Sequence, residues 1–135
     1  MKRENKTIFT IGYSSHTTAS FISLLKVNGI QVVCDVRSHP YSAYKPDFSM
    51  NTLEKNLKEN SIRYIFLGKE LGARREEPEC YVDGKVDFLK VEKTASFREG
   101  IERLKKGMET YRIALLCAEK DPIHCHRAVL ISRYL

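Results

Sequence analysis

Short apolar runs alternate with helical patterns along this chain. Runs rich in β-branched and aliphatic residues predict four strands, over about residues 7–12, 30–36, 62–67 and 112–118. Between them, apolar residues recur at helical spacing, and three helices have predicted caps at their starts: Thr17 or Thr18, Ser49, and Ser96 in a capping box with Glu99. A fourth helix is predicted from about Cys125 to the chain end. This alternation predicts an α/β layered fold with a parallel sheet.

The second strand is nearly continuous in apolar residues, which is typical of a strand buried on both faces of a parallel sheet. We expect the strand order 3-2-1-4, with the first strand between the second and the fourth. Cys34, inside the second strand, is expected to be a packed core thiol. A long irregular stretch follows the third strand, from Gly68 to about Lys85, and such stretches are usually functional or mobile. Cys80 lies there among charged residues and is expected at the surface.

Composition narrows the class of protein. The chain has 135 residues, 42% of them hydrophobic and 30% charged, which fits one soluble domain over residues 1–135. No apolar run approaches the ~20 residues of a membrane span, and no hydrophobic signal region follows the polar start. We therefore expect a cytosolic protein with no membrane partner and with reduced thiols. The net charge of +6 favours an anionic partner, either a small molecule or nucleic acid.

The richest chemistry lies between Cys117 and Arg127, after the fourth strand. Three readings stay open. In the first, Cys117 or Cys125 is a catalytic nucleophile, Glu119 is the acid or base, and Arg127 binds an anion; the predicted helix start at Cys125 favours a thiolate. In the second, a metal is held by Cys117, Glu119, Cys125 and His126, although their spacing matches no standard zinc motif. The third is anion binding without catalysis.

Polar residues also follow the other strands. Because the carboxyl ends of parallel strands meet at one edge, where such sheets bind ligands, these residues are expected to share a crevice with the Cys117–Arg127 segment. Asp35 and Arg37 have two interpretations, contact with a ligand or an internal ion pair. The predicted ligand-binding residues are Ser14, Asp35, Arg37, Arg74, Arg75, His126 and Arg127.

Five groups of motifs carry a family resemblance: Thr10–Ser14, Asp35–Ser42, Phe48 with Leu53, Leu71–Arg75, and Cys117–Glu119 with Cys125–Arg127. On these the chain resembles domain of unknown function 488, a family of uncharacterised bacterial and archaeal proteins. The resemblance implies a Rossmann-like α/β domain but no activity. Its signature positions match Ser14, Asp35, Arg37, Cys117, Glu119, Cys125, His126 and Arg127. The family commonly has His at the position of Tyr13. Many members continue past the last helix into a further strand, so a truncated or minimal member is expected.

The leading prediction is a small cytosolic enzyme that acts on a phosphorylated or nucleotide-like ligand. Its catalytic residues would be Cys117, Glu119 and Cys125. The alternative is a non-catalytic module that binds nucleic acid or another anion, and the third possibility is a metal-binding protein. The sequence indicates no particular cofactor and no oligomeric state.

Overall fold

Helices and strands alternate as the sequence pattern predicts. The structure is a computed structural model that describes residues 8–12, 17–37, 40, 46–71, 78–86, 88–91 and 93–117. None of the helices in these ranges has the length and apolar run that a membrane crossing requires. The predicted last helix, from Cys125, lies outside the described residues. In chain order the elements are β1 (Ile8–Gly12), α1 (Thr18–Val27), β2 (Val32–Asp35), a 3-10 turn (Pro46–Phe48), α2 (Met50–Glu59), β3 (Arg63–Phe66), α3 (Gly68–Leu71), a second 3-10 turn (Pro78–Cys80), β4 (Tyr81–Val82), β5 (Lys85–Val86), α4 (Phe88–Val91), α5 (Ala95–Met108) and β6 (Ile113–Cys117).

The four longer strands form one parallel sheet in the order β1-β6-β2-β3. The α/β fold class is confirmed, but the expected order 3-2-1-4 was wrong, because β6 and not β1 lies beside β2. Burial explains the difference. Every residue of β2 and residues 113–116 of β6 are buried, whereas β1 exposes Thr10 and β3 exposes Arg63. Strands whose side chains are all buried take the interior of a parallel sheet, and strands with exposed polar side chains tolerate an edge.

Alternation along the central strands divides the core into two layers. Val32 and Cys34 belong to the layer that packs against α5, together with the helical residues predicted to be buried, Phe97, Ile101, Leu104 and Met108. Val33 faces the opposite layer, which is formed with α1 and α2 by Phe21, Ile22, Leu25, Leu53 and Leu57. Helices therefore cover both faces of the sheet, as in a three-layer sandwich.

Side-chain caps define the starts of two helices. At α1, Ser20 N donates to Thr17 Oγ1 at 3.1 Å, and Thr17 N donates to Ser20 Oγ at 3.1 Å, which completes a capping box. At α5 the cap is Thr94, whose Oγ1 accepts a hydrogen bond from Phe97 N at 3.2 Å. The expected cap at Ser96 was therefore wrong by two residues, and Ser96 lies in the first turn of the helix.

The stretch expected to be irregular contains a β-hairpin. Strands β4 and β5 pair antiparallel, and two residues connect them. Asp83 has φ +53° and Gly84 has φ +79°, so both are left-handed. This is the conformation that a tight Asp-Gly hairpin turn requires.

Cys80 is completely buried, at 0% exposure, so the expected surface position was wrong. It belongs to the same core layer as Leu71 and Val91. The charged residues next to Cys80 in the sequence suggested solvent, but the 3-10 turn at Pro78–Cys80 brings its side chain into that layer.

Candidate functional site

The four parallel strands end at a common edge of the sheet, and β6 ends in the middle of it. In the register, Gly12 lies beside Cys117, and Asp35 lies beside both Leu116 and Phe66. Neighbouring strands are about 4.8 Å apart. The backbone of Cys117 is therefore at the centre of the edge, between the ends of β1 and β2.

The chain leaves β2 and β3 toward opposite faces of the sheet. After β2 it reaches α2, where Leu53 packs in one core layer; after β3 it enters α3, where Leu71 packs in the other. Parallel α/β sheets bind ligands at such a reversal, outside the carboxyl ends of the strands. The backbone at Gly68 passes very close to the backbone at Arg37, and a Cβ atom built at Gly68 would overlap the carbonyl oxygen of Arg37. Only glycine fits that approach.

Asp35 and Arg37 form a buried ion pair at this reversal. Arg37 Nε donates to Asp35 Oδ1 at 2.9 Å, and Arg37 Nη2 donates to Asp35 Oδ2 at 2.8 Å. The backbone N–H of Arg37 also donates to Oδ1, at 3.0 Å. Exposure is 0% for Asp35 and 3% for Arg37, so each charge depends on the other for compensation. The structure thus contains the internal ion pair, and contact of either residue with a ligand stays a prediction.

Tyr64 extends this network, although no motif in the sequence points to it. Its hydroxyl donates to Asp35 Oδ2 at 2.6 Å. Tyr64 lies beside Val33 in the register, and its long side chain reaches Asp35, the next residue on the same face of β2. Burial, followed by the charge and the hydrogen bond of Asp35, raises the pKa of Tyr64, while Arg37 opposes the rise. The phenol therefore stays protonated and remains a donor. In the sequence it is one aromatic residue in a strand, a pattern that indicates only β structure.

A known protein family matches most of the chain. The family described as "Domain of unknown function DUF488" matches residues 17–134. The chain belongs to this family. The resemblance found in the motifs is thereby confirmed. No curated protein and no solved structure matches the chain. The DUF488 description assigns no activity, so the site itself has to indicate the function.

Three of the predicted site residues of this DUF488 chain fall within the described ranges. Asp35 and Arg37 lie together at the end of β2, and the backbone of Cys117 lies one strand away. In these ranges no cluster of three His, Cys, Asp or Glu could hold a metal. The roles of the other predicted residues stay predictions, because they lie outside the described residues: Ser14, Arg74, Arg75, Glu119, Cys125, His126 and Arg127.

Cys34 is a core thiol, as expected. It is 2% exposed and free of any disulfide. Burial raises its pKa to about 12; the charge of Arg103 opposes the rise and that of Asp35 adds to it. The thiol is therefore neutral at neutral pH and is not a nucleophile there. It provides an internal standard for the reactivity of the other cysteines.

Replacing Arg37 by Met is expected to lower the free energy of unfolding by about 3–5 kcal/mol, because it leaves the buried carboxylate of Asp35 without its counter-charge. Adding Asp35→Asn removes that carboxylate, so the double variant should be more stable than Arg37→Met alone. Urea unfolding followed by circular dichroism measures both. The exposed Arg98→Met is the control, with a change below about 0.5 kcal/mol. If the double variant is less stable than Arg37→Met, the uncompensated carboxylate of Asp35 is not the cause of the lost stability.

Stability should fall at alkaline pH, partly because of Cys34. The folded protein holds this proton up to a pKa of about 12, whereas the ordinary thiol value is 9.0. The resulting stabilisation is complete below pH 9.0 and is lost as the pH rises toward 12. Cys34→Ala should remove a slope of about 1.4 kcal/mol per pH unit from this fall. Unfolding free energies of the unmodified protein and the variant, from about pH 8 to about pH 11, test this. Parallel curves throughout would mean that the thiol titrates normally in the fold.

Proposed function

We propose that this chain is a small, single-domain cytosolic enzyme that acts on a phosphorylated or nucleotide-like ligand at the carboxyl edge of its sheet. The observation that carries the proposal is the position of Cys117. It ends the buried central strand beside Gly12, and one strand away lies the Asp35–Arg37 pair. The loops that follow all four strands begin at this edge, so they can converge on one ligand.

In this proposal Arg37 and Arg127 bind the anion. The planar fork of an arginine matches the oxygens of a phosphate group. At Arg37, Nε and Nη2 of this fork already bind Asp35, so the two-point contact with phosphate is proposed for Arg127. Asp35 fixes the plane of the Arg37 guanidinium group, and Tyr64 fixes Asp35, so the charge is held in place before a ligand arrives. The further proposed contacts are Ser14, Arg74, Arg75 and His126.

The proposed reaction is nucleophilic displacement by a thiolate. Cys117 or Cys125 attacks the phosphorus, a sulfur–phosphorus bond forms, and the leaving oxygen departs with a proton from Glu119. Water then attacks the phosphorus, Glu119 takes the proton of the water, and the thiolate is released with inorganic phosphate as the product. Each proton that Glu119 gives in the first step returns in the second.

Alkylation by iodoacetamide, mapped by mass spectrometry, tests the nucleophile. Cys117 or Cys125 should react at neutral pH with a midpoint below the ordinary thiol pKa of 9.0, and inorganic phosphate should slow the reaction. Cys34 and Cys80 should react only after unfolding, because both are buried.

The variants Cys117→Ser and Cys125→Ser identify which thiol reacts, since the fast reaction should disappear in one of them. The matched control is Cys34→Ser, which should leave it unchanged. If neither thiol has a depressed pKa and no anion protects either, the nucleophile role is wrong.

The net charge of +6 supports a second candidate, a non-catalytic module that binds nucleic acid. For such a module the logarithm of the affinity for duplex DNA should fall with the logarithm of salt, by about 0.9 for each phosphate contacted. Changing Arg74 and Arg75 together to Gln should reduce this slope. The same change at Lys105 and Lys106, exposed in the last turn of α5, should not. Fluorescence anisotropy measures the affinity, and absent or salt-independent binding removes this candidate.

A further inference from the structure

A separate recess lies on the face of the sheet that α5 covers, opposite the face that carries the Asp35–Arg37 pair. Its volume is about 110 Å³, and it is bounded by α5 and by residues of β2, β3 and β6, with a lining that extends from Arg63 at the start of β3 to Leu67 just after its end. Arg63 and Ile113, the first residues of β3 and β6, line it. Cys34 and Leu104 also form its wall and, like Ile113, are no more than 2% exposed. The interior is therefore apolar.

Two guanidinium groups border this cavity. That of Arg63 lies 5.3 Å from the centroid of the Tyr111 ring, a cation–π contact that holds it beside the end of α5. Arg103 is 51% exposed, and its contact with Glu70 is long, at 3.5 Å, so little is lost when it turns to another anion. The charge of Arg103 also opposes the rise in the pKa of Cys34, a residue of the cavity wall. Among the described lining residues, the charged ones are these two arginines.

We propose that the cavity binds a small monocarboxylate, with its apolar tail among Cys34, Leu104 and Ile113 and its carboxylate at Arg63 and Arg103. Apolar cavities of comparable size stay dry and take up small apolar molecules. At about 30 Å³ for each methylene-sized group, the cavity holds a tail of about four carbons. The arginine forks match the two oxygens of a carboxylate. This site is independent of the proposed function, because it shares no residue with it.

A series of straight-chain carboxylates from acetate to heptanoate, titrated into the full chain by calorimetry or NMR, tests the proposal. Affinity should rise up to pentanoate, whose tail fills the cavity, and fall for longer acids. Pentan-1-ol should bind about tenfold more weakly than pentanoate, because it lacks the charge-assisted hydrogen bonds.

Arg103→Gln should weaken pentanoate binding about tenfold, and Arg63→Gln should also weaken it. The matched control is Arg98→Gln, an exposed arginine on the same helix that does not line the cavity, and it should have no effect. Circular dichroism should confirm that all three variants fold, because each substituted arginine is exposed. Equal affinity for acetate and pentanoate would mean an adventitious ion at surface arginines and would overturn the proposal. Insensitivity to both variants, or no saturable binding by any acid, would also overturn it.

Discussion

The burial of β6 on both faces determines where the other elements lie. Residues 113–116 are at most 2% exposed, and none of them is polar. Full burial of each large aliphatic side chain contributes about 1.5–3 kcal/mol, so the three in this strand contribute roughly 5–9 kcal/mol. At an edge of the sheet, part of this apolar surface would be exposed to solvent, and part of the stabilisation would be lost. The strand therefore lies inside the sheet with helices on both faces, and β1 and β3 take the edges. Its end, Cys117, is then central at the carboxyl edge.

The Asp35–Arg37 pair is the charged exception in this apolar frame. Each ion loses several kcal/mol of hydration on burial, and the pair recovers this only through good geometry. Two parallel N–H donors, a backbone N–H and the hydroxyl of Tyr64 supply that geometry. Well-packed apolar side chains often give equal stability, so stability alone does not explain the pair. The pair also holds the backbone just after β2, through the hydrogen bond from Arg37 N to Asp35 Oδ1, at the point where Gly68 approaches the carbonyl oxygen of Arg37.

The sequence predicts those features of the fold and the site that depend on local pattern. The stripe of α5 from Phe97 to Met108 was predicted because apolar spacing fixes the buried face of a helix. The positions of Asp35 and Cys117 at the carboxyl edge were predicted because both follow apolar runs. Strand order was not, because it depends on which of several apolar strands is most buried; the polar Thr10 in β1 was the available signal. The contact of Tyr64 with Asp35 joins residues on two strands, and no local pattern encodes it.

Consecutive residues of β2 belong to the cavity and to the ion pair, which lie on opposite faces of the sheet. Consecutive residues of a strand face opposite sides, so Cys34 belongs to the layer of the cavity while Asp35 faces the other side and holds Arg37 and Tyr64. The charge of Asp35 also contributes to the raised pKa of Cys34. β2 has only four residues and lies between β6 and β3. Any displacement of the β2 backbone at Cys34 would therefore also displace Asp35, the next residue, which carries the ion pair at the carboxyl edge.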